Sequence, residues 1–284
     1  MIEKFIELAK EKSSNIGIGL GTSEFHNQKI LQASLNFVGL NKANVHIFGN
    51  SNQIANLLEK TPENSLNSQV KFIKCQIPEF AILTSLINDT IQSIVRGSMC
   101  SSKFLQNLKK ELNGEEINRL ALLETNLRQQ FFFGPVGIDE CNNFKNKIHY
   151  LDLAIQKLRE FKIIPKISIL SGGRISDIGR DSKVDKSIQD ADKIVELFKT
   201  KIKDLEISHD EILIEKAIEN KSNLILAPDG ISGNLIYRTL VHLGGGKAYG
   251  AIYMGLNHII IDTSRVGDFS EIEGALLLAL ALSK

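Results

Sequence analysis

The chain has little of what staples small extracellular domains together. Among 284 residues there are three cysteines, five prolines and no tryptophan. Cys75, Cys100 and Cys141 are odd in number and far apart, with no C-x-x-C pair. Neither a disulfide framework nor a structural zinc site is indicated, and a reducing, cytoplasmic setting is expected. There is no charge excess either: 34 Lys plus Arg stand against 33 Asp plus Glu. The broad basic field that nucleic acid or an anionic membrane surface attracts is missing. The longest apolar run, Ala275 to Leu282, has eight residues, whereas a bilayer needs ~20. The opening MIEKFIELAKEK mixes acids and bases at helical spacing, unlike a signal peptide. The six histidines are scattered with no H-x-x-x-H, and no G-x-S-x-G occurs. Hydrolase triads and metal sites are therefore not expected.

What is present is ordinary for a large globular protein: 43% hydrophobic and 24% charged residues, enough to bury a core. Short apolar runs alternate with amphipathic stretches. Strands are expected at Ile16–Leu20, Val45–Phe48, Val70–Ile73, Ser93–Val95, Ile167–Leu170, Leu224–Leu226, Ala251–Met254 and Ile259–Ile261. Helices are expected at Ile2–Lys12, after Ser23, and at Phe144–Phe161, 186–199, 210–220, Ser232–Leu243 and Asp268–Ser283. Strands separated by helices predict βαβ units and a mostly parallel sheet, an α/β fold. In such sheets ligands sit in loops at the carboxyl ends of strands. The glycines of IGIGLG, 16–21, lie within the first strand, and the second strand ends Phe48-Gly49-Asn50 without an acid for a ribose. That run is not read as a dinucleotide loop.

Four post-strand loops concentrate polar chemistry. In LAPDGISGNLIYR, 226–238, Gly230 and Gly233 permit close backbone approach, Ser232 and Asn234 are candidate caps, and Arg238 follows one turn in. In IIIDTSRVGDFSEI, 259–272, a buried strand delivers Asp262, Thr263, Ser264 and Arg265 beside a helix start at Asp268 or Ser270. Arginine suits bidentate phosphate contacts. In IVRGSMCSSKFL, 94–105, Arg96-Gly97-Ser98 precede a helix that Ser101 or Ser102 would cap, and Cys100 reads as an inert thiol. The loop 171–185 holds Asp177, Asp181 and Asp185, read as solvated acids rather than metal ligands.

The stretches APDGISGNLIYRTLVHLGGGKAYGAIYMG and IIIDTSRVGDFSEIEGALLLALA resemble the phosphate acetyl/butyryltransferase superfamily, with its P-D-x-x-x-G-N-x-x-Y-K stretch and its strand ending in Ser-Arg. IVRGSMCSSKFL, FFFGPVGIDEC and KISILSGG resemble it more loosely, so residues 90–284 carry the likeness. The wording PDGISGNLIYRTL with DTSR is most similar to a methanogen subgroup labelled methyltransferase Mtx subunit X, or methanogenesis marker protein 4. The resemblance implies two three-layer α/β/α domains of the isocitrate/isopropylmalate dehydrogenase-like kind with a cleft between them. The first would span 1–142 plus 258–284 and the second 143–257, usually paired as a homodimer. It implies acyl transfer between coenzyme A and inorganic phosphate, with coenzyme A as substrate and neither a metal nor a covalent cofactor. By the same resemblance Ser264 would stabilise the acyl oxygen, Arg265 would hold phosphate, and Asp268 or Glu271 would take the thiol proton. Arg96, Gly97, Ser98, Asp229, Gly233, Asn234 and Arg238 would bind phosphate or coenzyme A. The chain departs from the superfamily where SHDEILIEKAIE replaces a G-P-L-x-x-D-x-A stretch, and where Val266 follows Ser-Arg in place of Gly or Ala. Two other functions stay open: methyl transfer, which would need a partner or another methyl carrier because no S-adenosylmethionine loop and no D-x-H-x-x-G occurs, and ligand binding without catalysis.

Overall fold

The computed structural model describes residues 1–112 and 116–283. The chain divides into two compact units, Met1–Glu116 with Ala248–Lys284, and Ile117–Lys247. The sequence reading put the boundaries at 142/143 and 257/258. The difference lies in two hairpins. Residues 118–134 form an antiparallel strand pair that hydrogen-bonds to the strand at 224–226 of the second unit. The strand at 247–254 pairs antiparallel with the one at 259–262 of the first.

The first unit runs α1 (Ile2–Ala9), β1 (Ser14–Gly19), α2 (Glu24–Leu40), β2 (Ala43–Gly49), α3 (Ser51–Glu59), β3 (Val70–Lys74), α4 (Pro78–Ile87), β4 (Ser93–Val95) and α5 (Ser101–Glu111). Helix starts follow local chemistry. The Ser23 side chain accepts from the His26 N–H at the head of α2, and Asn50 with Gln53 forms a reciprocal capping box on α3. In β1 the glycines serve packing. A Cβ on Gly17 would press into Ile91, and one on Gly19 into Met99. They clear room beneath the strand for these side chains.

The second unit runs β5 (Asn118–Glu124), β6 (Gln130–Gly134), α6 (Phe144–Glu160), β7 (Lys166–Ile169), α7 (Ser182–Lys201), β8 (Glu206–His209), α8 (Ile214–Glu219), β9 (Leu224–Leu226) and α9 (Gly230–His242). Its sheet order is β5-β6-β9-β7-β8, parallel apart from the β5–β6 hairpin. The 210–220 stretch, expected as one helix, shrinks to six residues behind an unforeseen strand, β8. This strand lies at the sheet edge and buries only Ile207, so its sequence carries almost no apolar pattern. Helix α7 begins at Ser182 because the Asp181 carboxylate caps it, accepting from the N–H groups of Lys183 and Val184.

The chain then returns to the first unit with β10 (Lys247–Met254), β11 (Ile259–Asp262) and α10 (Phe269–Leu282). That unit's sheet order is β3-β2-β1-β4-β11-β10, parallel except for β10 against β11. Helix α10 is apolar on nearly every side, with Ile272, Gly274, Ala275, Leu276, Leu278, Ala279, Leu280 and Ala281 buried. It packs against α1, α2 and β11 as the central helix of this unit. Among the described residues no helix is long and apolar enough to cross a membrane.

Candidate functional site

Each unit carries one polar corner where strands end and a helix begins. In the first unit the corner is built from the ends of β4 and β11. Arg96 is 4% exposed and does not reach solvent. Its guanidinium is held by the Asp262 carboxylate and the Thr263 carbonyl, and it donates to the Met99 carbonyl at 2.7 Å. It bridges β4 and β11 from inside and is not an open anion donor. Gly97 has φ of 64°. A side chain there would meet the Gly19 carbonyl and Ile18, so the glycine is required by both space and backbone angle. Ser98 is buried, accepting from the Gly21 N–H at 2.7 Å and donating to Asn27 Oδ1 at 2.8 Å. The Thr263 hydroxyl closes the corner onto the Gly97 carbonyl at 2.9 Å. Arg96, Gly97 and Ser98, assigned by resemblance to ligand binding, thus brace the corner.

Ser264 and Arg265 stand on this base. The Ser264 N–H donates to Glu271 Oε1 at 2.7 Å, and Glu271 is 2% exposed. Its other carboxylate oxygen lies where a Cβ on Gly267 would press. Glu271 is therefore a brace under the turn. Asp268, at the head of α10, makes no side-chain cap and is 71% exposed. Of the two acids, Asp268 is the one open to solvent. Among the described residues the Ser264 oxygen accepts only a 3.3 Å contact from the Val266 N–H, which leaves its proton available. Arg265 is exposed, and among the described residues no salt bridge ties it to a carboxylate. Lys29 of α2 reaches Asp268 Oδ1 at 3.4 Å. Beside it His26 keeps a buried Nδ1 without a partner among the described residues. Burial, then the Lys29 charge, holds that imidazole below its usual range, against the pull of Asp268.

The N-cap position of α5 is Cys100, not Ser101 or Ser102, and no side chain caps the helix. The Cys100 thiol is half-buried and lies 3.3 Å from the Ser102 hydroxyl. That hydroxyl, then the Lys103 N–H, holds the thiol below the ordinary cysteine range, with a smaller pull from Arg265. Burial pushes the Cys75 thiol up.

In the second unit the corner joins the end of β6 to the head of α9. Asp229 caps the helix, accepting from the Ser232 N–H at 2.8 Å. Ser232 and Asn234, expected as caps, lie inside the first turns of the helix. A Cβ on Gly233 would overlap the Pro135 carbonyl, and one on Gly230 the Gly137 carbonyl. The helix head thus lies directly on the 135–137 backbone, which follows a cis Gly134–Pro135 bond. Asn234 Nδ2 donates to the Val136 carbonyl at 2.8 Å, and Arg238 is exposed one turn on. The loop is held from below by a pair that sequence reasoning passed over. Arg119 Nε donates to Glu140 Oε1 at 2.6 Å, and Tyr150 donates to the Arg119 carbonyl at 2.7 Å. Burial pushes the Glu140 carboxyl up, and the guanidinium beside it pulls back.

The loop after β7 holds another unexpected group, Ser171 with His209 and Asp192. The three acids there are not loose in solvent. Asp177 accepts from the Arg174 N–H and Asp185 from the Gly179 N–H, both at 2.9 Å, while Asp181 caps α7. Among the described residues no three of His, Cys, Asp and Glu gather as a metal site would need.

No family model matches the chain. It is 35% identical over 97% of its length to a Methanosarcina mazei protein provisionally named methyltransferase mtx subunit X, covering 93% of that protein. It is 37% identical over 90% of its length to the Methanosarcina barkeri protein of the same name, covering 90% of it. Among solved structures, a phosphotransacetylase from Streptococcus pyogenes matches with a TM-score of 0.71 at 16% identity, over 98% of this chain and 96% of that one. At such identity the likeness speaks for the fold.

Proposed function

The chain belongs to the mtx subunit X family, and on that premise we propose that it moves an acyl group between coenzyme A and inorganic phosphate. The observation that carries this reading is the pairing of Ser264 with Arg265. The hydroxyl sits on a backbone pinned by a buried glutamate, and the neighbouring guanidinium is exposed with no carboxylate partner among the described residues. In the acyl-CoA direction, Arg265 holds phosphate, whose oxygen attacks the thioester carbonyl carbon. The Ser264 hydroxyl donates to the oxygen on which charge gathers. The carbon–sulfur bond breaks, and the thiolate leaves and takes up a proton. In the reverse direction Asp268 takes the thiol proton before the sulfur attacks an acyl phosphate. Asp229, Gly233, Asn234 and Arg238 form the second anion-holding turn, where the positive end of the α9 dipole meets an exposed cation.

The test is phosphate-dependent thiol release from acetyl-, propionyl- and butyryl-CoA by the purified protein. Release that requires phosphate and is lost in Arg265→Ala supports the reading, and no release from any of the three overturns it. The relatives' name favours a second reading, methyl transfer with a partner or a separate methyl carrier. Calorimetry with S-adenosylmethionine, coenzyme A and phosphate separates the two: tight S-adenosylmethionine binding without coenzyme A binding would reverse the ranking. We also infer that the protein pairs with a second copy through α9. That helix buries only Gly230 and Gly233, while Ile231 and Leu235, one turn apart, are about 60% exposed and Leu243 is 84% exposed. Sedimentation of wild type and Leu235→Glu tests this, with the wild type expected to be dimeric and the variant monomeric.

A further inference from the structure

The group at the carboxyl ends of β7 and β8 has the order of a hydrolytic triad. Ser171 Oγ lies 2.8 Å from His209 Nε2, and His209 Nδ1 lies 2.7 Å from Asp192 Oδ1 on α7. The nucleophile reading fails on access, because Ser171 is 1% exposed and its hydroxyl is also 2.8 Å from the Gly173 carbonyl. The geometry describes a chain of three hydrogen bonds running from α7 through β8 into the loop 171–181. Gly172 and Gly173 form the start of that loop, and the Gly172 N–H is taken by the Ser187 hydroxyl at 2.7 Å.

The three links can be counted in protons. The Asp192 carboxylate and the Gly173 carbonyl only accept, so the end links need a proton on Nδ1 and the Ser171 hydroxyl proton. The middle link then needs a proton on Nε2. A neutral imidazole has one ring proton, which with the Ser171 hydroxyl proton makes two for three links, so either the ring nitrogen or the Gly173 carbonyl goes unserved. An imidazole with both protons serves all three. We infer that His209, held by Asp192, is the positioning residue of the loop 171–181, and that it holds the loop tightest when both ring nitrogens carry protons.

The other charged groups nearby are spent elsewhere. Asp210, next to His209 in the chain, is buried and faces the Ser208 hydroxyl at 3.1 Å and Lys216 at 3.5 Å. On the loop, Arg180 pairs with Asp177 at 2.5 Å. On β7, Lys166 pairs with Glu206 at the far end of the strand pair. Arg174 on the loop is exposed, and the hydrogen-bond chain through His209 sets how firmly its backbone is held.

Hydrogen exchange of the full-length protein without ligand, at about pH 5.5 and about pH 8, tests the inference. Protection of peptides covering 171–181, corrected for the intrinsic rate at each pH, is expected to be roughly fivefold higher at the lower pH, the weight of one hydrogen bond. The difference should vanish in His209→Gln and in Ser171→Ala, with exchange in β7 and β9 reporting that each variant is folded. Protection that is flat or falls toward low pH in the wild type, or a rise that survives in both variants, overturns it. Because no ligand is present, a failure here is distinct from a failure to bind phosphate.

Discussion

The two corners solve one problem, fixing a turn at the mouth of a sheet, with different materials. In the first unit the turn is held by buried charge: Arg96 locked to Asp262 and to two carbonyls, and Glu271 accepting from the Ser264 N–H. In the second unit the turn is held by closeness, with Gly230 and Gly233 letting α9 lie on bare backbone and Asn234 tying the contact. Each also leaves one arginine, Arg265 or Arg238, exposed and outside any salt bridge among the described residues. The contrast separates two uses of a cation. The buried guanidiniums of Arg96 and Arg119 are structural, and the exposed ones are free to meet a ligand. A corner built on charge should fail abruptly when a partner is removed. A corner built on shape should fail by degrees as bulk is added.

The largest expected effect follows from that contrast. Asp262→Ala removes the carboxylate that holds the buried Arg96 guanidinium and should cost about 3–5 kcal/mol, read as a lower denaturation midpoint of the first unit. Gly233→Ala drives a methyl into the Pro135 carbonyl and should cost roughly 1–3 kcal/mol, with Gly233→Val worse. If the alanine variant is as stable as wild type, the close contact at that corner is not limiting. Asn234→Ala should lose about 1 kcal/mol from the broken bond to Val136. Arg265→Ala should leave stability within about 0.5 kcal/mol while weakening phosphate binding roughly tenfold or more, measured by calorimetry. Arg96→Lys should do the opposite, destabilising the fold before it touches the ligand. The smallest effect concerns thiols. Cys100 should react with iodoacetamide first, ahead of Cys75, whose thiol burial pushes up, and of Cys141, which is 1% exposed. Mass spectrometry of the alkylated peptides gives the order.

The fold was legible where apolar runs were flanked by caps and glycine. Ser23, the long amphipathic α6 and the apolar α10 all announced themselves. The edge strand β8 did not, because one buried isoleucine makes no pattern. The residue types of the corners were legible too, but not the direction each side chain takes. Arg96 and Arg265 look alike in a loop, yet one turns inward to a carboxylate 166 positions away in the chain and the other outward. Glu140 and Arg119 went unnoticed because 21 positions separate partners that only the sheet brings together. The group of Ser171, His209 and Asp192 escaped for the same reason: a loop, a strand end and a helix contribute one residue each.

Gly19 offers no side chain, no charge and no hydrogen-bonding group beyond its backbone. Its emptiness is nonetheless what seats the Met99 side chain, and the Met99 carbonyl is one of the acceptors that aim Arg96. Arg96 in turn holds the residues immediately before Ser264. Bulk added at the end of a hidden strand would therefore travel, neighbour by neighbour, to the one hydroxyl that the chemistry asks to stay still.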